Sequence, residues 1–181
     1  MFKKGLKFAI LTLLCYLLQA SVAGYLAVWD VAPNLALAII AVVSVAMGRK
    51  YTFFISLTVG YLLEIMLPAL EYINLILYPV CALLGALVFS DKSERKLEEE
   101  RSLGKRGGNM PPHLRTILCA LLSVSLFEAV NLLYIYLNGI QLDLGHYQRA
   151  VISILYTTAL AAVFQFPIRW WLGTYKLKKA R

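Results

Sequence analysis

The 181-residue chain has little of what a water-soluble enzyme carries. Only 15% of its residues are charged, whereas soluble domains average about 25%. It holds three cysteines and two histidines, without the CxxC or Cys/His spacing of a metal site, and it contains no Gly-x-Ser-x-Gly, His-Glu-x-x-His or Gly-x-x-x-x-Gly-Lys motif. We therefore expect no catalytic residues, no metal and no cofactor, and hence a protein that is not an enzyme.

Apolar sequence is what the chain has in excess: 60% of residues are hydrophobic and the mean hydropathy is +0.70. Six apolar runs approach the roughly 20 residues that a helix needs to cross a bilayer, so the sequence predicts an all-α, polytopic integral membrane protein with one six-helix domain, 1–181. The predicted transmembrane helices span about 7–29, 33–48, 51–67, 70–90, 116–137 and 147–172, and a charged loop spans 91–115. Helices 2 and 3 reach only about 24–26 Å, which leaves a re-entrant pair as the alternative.

Basic residues lie almost entirely on one side of this predicted bundle. Of the 18 lysines and arginines, only Arg149 falls on the other side. Because positively charged loops are retained in the cytoplasm, both termini and the 91–115 loop are predicted to be cytoplasmic. The net charge of +8 is thus spread along a membrane surface, and no nucleic acid is expected as a partner. His113 and His146 fall on opposite sides, so they are not expected to share a metal or a proton.

The first helix also resembles a secretory signal peptide. Lys3 and Lys4 precede an apolar core at 8–18, and small residues follow at 21–23. The apolar run continues past that candidate cleavage point, so we expect a retained helix, with cleavage as the alternative.

Two acids fall inside predicted membrane helices, where an ionisable group is costly and usually marks a pairing or a function. Glu64 and Glu128 lie at similar depth, about 18–20 Å from the cytoplasmic edge. Asn131 lies one turn beyond Glu128, and Arg149 is the only base on that side able to pair with either acid. These four residues form a candidate intramembrane polar site. Three roles are open for this site. It is an interhelical clamp whose carboxyls are paired or kept protonated by burial, an outward-facing ligand or proton site, or a contact with a partner's helix.

Small residues recur at four-residue spacing, which places them on one face of a helix and lets backbones approach closely. The candidate helix-packing faces are Ala20 with Gly24 and Ala23 with Ala27 in helix 1, Ser56 with Gly60 in helix 3, Cys81 with Gly85 in helix 4, and Ser153, Thr157 and Ala161 in helix 6. We expect these faces to pack within the chain, and contact with another protein is the alternative.

The stretch 31–90 resembles the rod shape-determining protein MreD family. The resemblance rests on Pro33-Asn34-Leu35 at the start of helix 2, the basic break at 48–50, Gly60 followed four residues later by the acid Glu64, and an apolar helix with Gly85. The family-motif positions are therefore Pro33, Asn34, Gly60 and Glu64. Members of the family usually have Asp where this chain has Glu64, and the 91–115 loop is longer than is typical of them.

The resemblance implies a non-enzymatic membrane scaffold of the bacterial cell-elongation (rod) machinery, located in the cytoplasmic (inner) membrane and needed for cell shape. The implied partners are an MreC-like bitopic membrane protein and, through it, MreB filaments and peptidoglycan synthases. The expected fold is also similar to that of the substrate-binding S components of energy-coupling factor vitamin transporters, which is the alternative function. A third possible function is proton- or cation-coupled transport by the two acids.

Overall fold

The structure, a computed structural model, describes residues 2–66, 72–89, 102 and 110–173. Six α-helices account for most of them: α1 Phe2–Leu17, α2 Leu35–Met47, α3 Arg49–Met66, α4 Ile73–Phe89, α5 Pro112–Leu137 and α6 Leu144–Leu172. A π-helical turn, Leu18–Val22, continues α1. The all-α prediction is confirmed. Most of the predicted 91–115 loop, the predicted start of helix 4 at 70 and the basic tail beyond 173 lie outside the described residues.

Helix α2 forms the centre of the bundle. Every residue from Leu35 to Val45 is buried, and α2 contacts each of the other five helices. Its sequence is apolar all round except for Ser44, which suits a helix covered on every side. At 13 residues it is about 20 Å long, whereas the hydrocarbon core is about 30 Å thick. Helix α2 is therefore a core helix, held at its depth by its neighbours.

The N-terminus of α2 lies inside the protein, where its unpaired N–H groups need partners because water is scarce. Asn34 is the N-cap, and its Oδ1 accepts the N–H of Leu37 at 3.0 Å. Gln19 Oε1 accepts the N–H of Ala36 at 3.0 Å. The N–H of Asn34 itself donates to Thr157 Oγ1 at 3.0 Å. Side chains from α6 and from the π-helical turn thus fix the depth at which α2 begins.

Both ends of the described chain lie at the same end of the bundle. Lys7 Nζ, near the start of α1, donates to the carbonyl oxygen of Trp171 near the end of α6 at 3.0 Å. The ring of Phe8 packs edge-on against that of Tyr51 at the start of α3, with centroids 5.3 Å apart. The short connection 138–143 joins α5 to α6, which run antiparallel. We call this the basic end: α1, α3 and α5 begin there, and α2, α4 and α6 end there.

The first helix is shorter than predicted. It was expected to extend to Trp29, but helical structure ends at Val22. Val28 and Val31 then form an isolated β-bridge, and the two residues between them, Trp29 and Asp30, have φ of 51° and 59°. Two successive positive φ angles make the tight turn of a hairpin. Hydropathy extended the predicted helix because it does not separate an apolar turn from a helix.

The last two helices begin slightly earlier than predicted, at Pro112 and Leu144 rather than at 116 and 147. Proline suits the first helical position because the N–H that it lacks has no partner there in any helix. Asp143 starts α6 as its N-cap within a capping box. Each of these helices therefore begins at its N-terminal capping residues, although its first turn is too polar for hydropathy to assign it to the helix.

Three helical segments are long and apolar enough to cross a membrane: Gly5–Val22, Pro112–Leu137 and Leu144–Leu172. Helices α2 and α4 are apolar but shorter, at 13 and 17 residues. Large apolar side chains point outward along the long helices, among them Leu133 in α5 and Val163 in α6. Such an exterior suits lipid rather than water, and the candidate spans indicate a membrane protein.

Candidate functional site

An open cleft of about 270 Å³ lies at the end of the bundle opposite the basic end. We call it the polar cleft, and its polar lining consists of Asp30, Glu128, Asn131, His146, Arg149 and Ser153. The cleft thus brings together two acids, a guanidinium, an imidazole, an amide and a hydroxyl.

Helical spacing explains why these residues meet. Glu128 and Asn131 are three residues apart on α5 and so share a face. His146, Arg149 and Ser153 follow the same rule on α6, at spacings of three and four. Because α5 and α6 run antiparallel and pack together, the two faces meet, and the 28–31 turn adds Asp30 at the rim. The cleft is therefore built from two helix faces and one turn.

A short hydrogen bond orients the acid at the base of the cleft. Ser153 Oγ donates to Glu128 Oε1 at 2.6 Å, and Ser153 is buried whereas Glu128 is partly exposed. Across the part of the chain that the structure describes, this is the one hydrogen bond made by the Glu128 carboxyl. Its second oxygen is left available to a molecule in the cleft.

Arg149 does not neutralise either acid of the cleft. Among residues 2–66, 72–89, 102 and 110–173, no Arg149 nitrogen comes within 4.0 Å of a carboxyl oxygen of Asp30 or Glu128. The pairing with Glu128 or Glu64 for which the sequence made Arg149 the candidate base is therefore not formed. The cleft keeps separate charges of both signs in a small space.

The structure does not bring Glu64 to the polar cleft. Its Oε1 accepts the N–H of Tyr72 at 2.9 Å, and its Oε2 accepts the N–H of Asn74 at 3.0 Å. These N–H groups lie at the start of α4, where they have no partner within the helix and where a negative charge is favoured. Buried Glu64 thus links α3 to the N-terminus of α4, so the clamp alternative describes it well. Of the four predicted site residues, Glu128, Asn131 and Arg149 are brought together and Glu64 is not.

Most of the predicted small-residue faces pack inside the chain. A methyl group added at Gly60 would lie 2.8 Å from the carbonyl oxygen of Asn74, so α3 and α4 approach to a distance that only glycine allows here. Gly85 of α4 packs in the same way against Cys119 and Ser123 of α5. Ser56, Cys81, Thr157 and Ala161 are also buried. These residues therefore lie at contacts between helices of the same chain.

The faces predicted in helix 1 are not formed as helix faces, because helical structure ends at Val22 and only Ala20 of their four residues is helical. Ala23 is buried, but Ala20, Gly24 and Ala27 are exposed. A methyl group at Gly24 would meet no atom within 4 Å. These three residues define the small-residue surface, which no other part of the described chain covers.

Sequence reasoning did not group Asp30, His146 or Ser153 with the site. The four-residue spacing assigned Ser153 to a helix-packing face. Asp30 lies in a turn, and hydropathy does not predict how that turn folds. The available signal was the series 146, 149 and 153, which places His146 and Ser153 on the same helical face as Arg149. His146 also closes the capping box of α6, since its Nδ1 accepts the N–H of Asp143 at 3.2 Å.

The donor set of the cleft suits charged or hydrogen-bonding organic groups. Within the described ranges, no three or more His, Cys, Asp or Glu side chains are placed to hold a metal ion. The three cysteines, Cys15, Cys81 and Cys119, are buried and not joined in disulfides.

Comparison with protein-family models, curated proteins and solved structures gives no match to the chain.

Proposed function

We propose that the chain is a non-enzymatic scaffold of the bacterial cell-elongation machinery in the cytoplasmic membrane, with all six helices embedded. The observation that carries this proposal is the small-residue surface: Ala20 lies in the π-helical turn that ends the first helix, Gly24 and Ala27 follow directly after it, and all three are exposed, whereas the other small-residue faces of the bundle are buried. The resemblance of 31–90 to the MreD family supports it.

The basic end faces the cytoplasm in this proposal. Lys7, Arg49 and Lys50 lie there, and cytoplasmic segments of membrane proteins are enriched in such residues. Helices α2 to α4 do not need to be full-length spans, because short helices are tolerated at membrane depth where protein surrounds them. The polar cleft then opens toward the outer face.

The partner of the small-residue surface is a single membrane-spanning helix of an MreC-like bitopic protein. Only 17% of the Gly5–Val22 span is buried, against 33% and 28% of the spans in α5 and α6, so among these three spans the first has the largest share of surface left for a partner. Small residues attract a second helix in lipid because they let the backbones approach and gain van der Waals contact. Through this partner the scaffold connects to MreB filaments and peptidoglycan synthases.

A vitamin-capturing S component is the second candidate, and the polar cleft is the observation that favours it. Ligand pockets usually measure about 300–1,000 Å³ and enclose most of their ligand. The polar cleft, at about 270 Å³ and open to the exterior, lies below that range. Its open form, which does not enclose a ligand, favours the scaffold over a carrier of whole vitamins.

Depletion of the protein from rod-shaped cells tests the proposal. Loss of a scaffold makes the cells round and wide, whereas a growth defect that one added vitamin cures would instead establish uptake. Complementation with Gly24→Leu is expected to fail and to lose the copurifying bitopic protein, because the larger side chain keeps the partner helix away. Gly5→Leu is the control, since Gly5 is exposed in α1, away from the small-residue surface, and like Gly24 has no atom within 4 Å of an added methyl group.

A further inference from the structure

A second cavity adjoins the polar cleft. This apolar groove measures about 640 Å³ and follows the outer side of the first turns of α6. Its lining consists of Trp29, Leu144, Gly145, Tyr147, Gln148, Arg149, Val151 and Ile152. Arg149 lines both cavities, and the adjacent turn residues Trp29 and Asp30 line one each. The two cavities therefore form one continuous surface with a polar half and an apolar half.

The polar half carries acidic and basic side chains that form no ion pair with one another in the part of the chain that the structure describes. Asp30 and Glu128 offer carboxyl oxygens, and Arg149 offers a guanidinium, yet the residues of the described ranges form no ion pair between them. Charged groups near a membrane are costly unless they are paired. A molecule with a positive and a negative group a few ångströms apart satisfies both signs at once.

The apolar half exposes a hydrophobic surface that suits an acyl chain. Leu144 is 75% exposed and Val151 is 55% exposed, although both lie in the groove. Trp29 and Tyr147 flank them, and these two residue types favour the level of the lipid headgroups. The groove therefore begins at headgroup level and follows α6 toward the membrane interior.

We propose that the polar cleft and the apolar groove together bind one aminophospholipid of the outer leaflet. The ammonium group lies between Glu128 and Asp30, the phosphate contacts Arg149, and one acyl chain lies in the groove. Arginine suits the phosphate because its planar donors match two phosphate oxygens. A primary ammonium suits two separate carboxyls because it has three donors. The inference rests on the proposed membrane placement and is independent of the helical partner.

Lipid titration of the purified full-length protein in detergent, followed by native mass spectrometry, tests this site. Short-chain phosphatidylethanolamine is expected to bind saturably. Phosphatidylcholine and phosphatidylglycerol are expected to bind about tenfold more weakly, because the first cannot donate N–H hydrogen bonds and the second has no positive group. Equal binding of the three lipids would mean an unselective lipid coat and would overturn the proposal.

Variants assign the binding to the two cavities. Glu128→Gln and Arg149→Gln are each expected to weaken phosphatidylethanolamine binding about tenfold or more. Lys50→Gln is the control, because Lys50 is an exposed base at the other end of the bundle. An equal loss in Lys50→Gln, or no loss in both cleft variants, would contradict the assignment. The thermal unfolding midpoint of Arg149→Gln is expected to stay close to that of the wild type, since Arg149 is exposed and its side chain forms no hydrogen bond or ion pair with the described residues.

The free headgroup O-phosphoethanolamine separates a lipid from a soluble ligand of the same chemistry. It is expected to bind at least tenfold more weakly than the lipid, because it leaves the groove empty. Val151→Trp fills the groove and is expected to reduce lipid binding without changing headgroup binding. If the headgroup binds as tightly as the lipid, or if Val151→Trp leaves lipid binding unchanged, the groove has no acyl chain and the proposal fails.

Discussion

Replacing Glu64 by Gln changes the contact that joins α3 to the start of α4. The carboxyl group accepts two backbone N–H groups, from Tyr72 and Asn74, one at each oxygen. Glutamine keeps one oxygen and places an NH₂ group against the other N–H, so one buried donor loses its acceptor. Glu128→Gln is the natural comparison, because its remaining oxygen still accepts the hydroxyl of Ser153.

The structure gives different magnitudes for the two changes. One charge-assisted hydrogen bond contributes about 1.5–3 kcal/mol, and loss of the negative charge at a helix N-terminus adds roughly 0.3–1 kcal/mol, so Glu64→Gln should lower the free energy of unfolding by about 2–4 kcal/mol. Glu128 is partly exposed, and the glutamine of Glu128→Gln still accepts the hydroxyl of Ser153, so this variant should cost less than about 1 kcal/mol.

Equilibrium unfolding in mixed micelles by added dodecyl sulfate, followed by circular dichroism, measures both free energies. The expected result is a large loss of stability for Glu64→Gln with little loss of lipid binding, and the reverse for Glu128→Gln. Equal destabilisation by the two variants, or lipid binding that depends on Glu64, would show that the acids act as one site and would refute the separation of their roles.

Three further outcomes follow from contacts in the bundle. Gly60→Ala should cost about 1–3 kcal/mol because the methyl group meets backbone of α4, whereas Gly24→Ala, with open space around it, should be neutral within about 0.5 kcal/mol; both are read by the same unfolding assay. Asn34→Ala should cost at least about 1–2 kcal/mol, since it removes the N-cap of a helix that begins inside the protein, and amide exchange in α2 should quicken. Cysteine introduced at exposed Ile140 should react with an impermeant maleimide in intact cells, whereas cysteine at exposed Met110 should react only after permeabilisation. The native cysteines are buried and so should not contribute to the labelling. Labelling of Met110→Cys from outside would reverse the proposed orientation.

Hydropathy predicted the six apolar helices that the structure describes, in their order, because each apolar run must be covered by protein or by lipid. It did not predict that α2 is central, since an apolar run has the same composition whether protein or lipid covers it. Equal depth suggested that Glu64 and Glu128 meet, but depth does not fix the direction in which a side chain points. Glu64 points to the start of α4, and Glu128 points to Ser153 of α6. Such directions depend on helix rotation and neighbour order, which a single sequence does not give.

The positions that carry the family resemblance all have structural tasks in this bundle. Asn34 caps α2, and the Pro33 carbonyl accepts the N–H of Leu35. Gly60 allows the backbone of α4 to approach α3, and Glu64 caps α4. A motif made of caps and close contacts specifies a fold, and one fold serves different functions.

Such a fold is compatible with both proposed functions, the scaffold and the vitamin-binding component. The function must then reside on surfaces that the motif does not build, namely the small-residue surface around Gly24 and the cleft around Arg149. If these surfaces act independently, Gly24→Leu should abolish partner recovery and keep lipid selectivity, whereas Arg149→Gln should do the opposite. Loss of both properties in either variant would show that lipid and partner are coupled through the 28–31 turn, which follows the small-residue surface in the sequence and contributes Asp30 to the cleft.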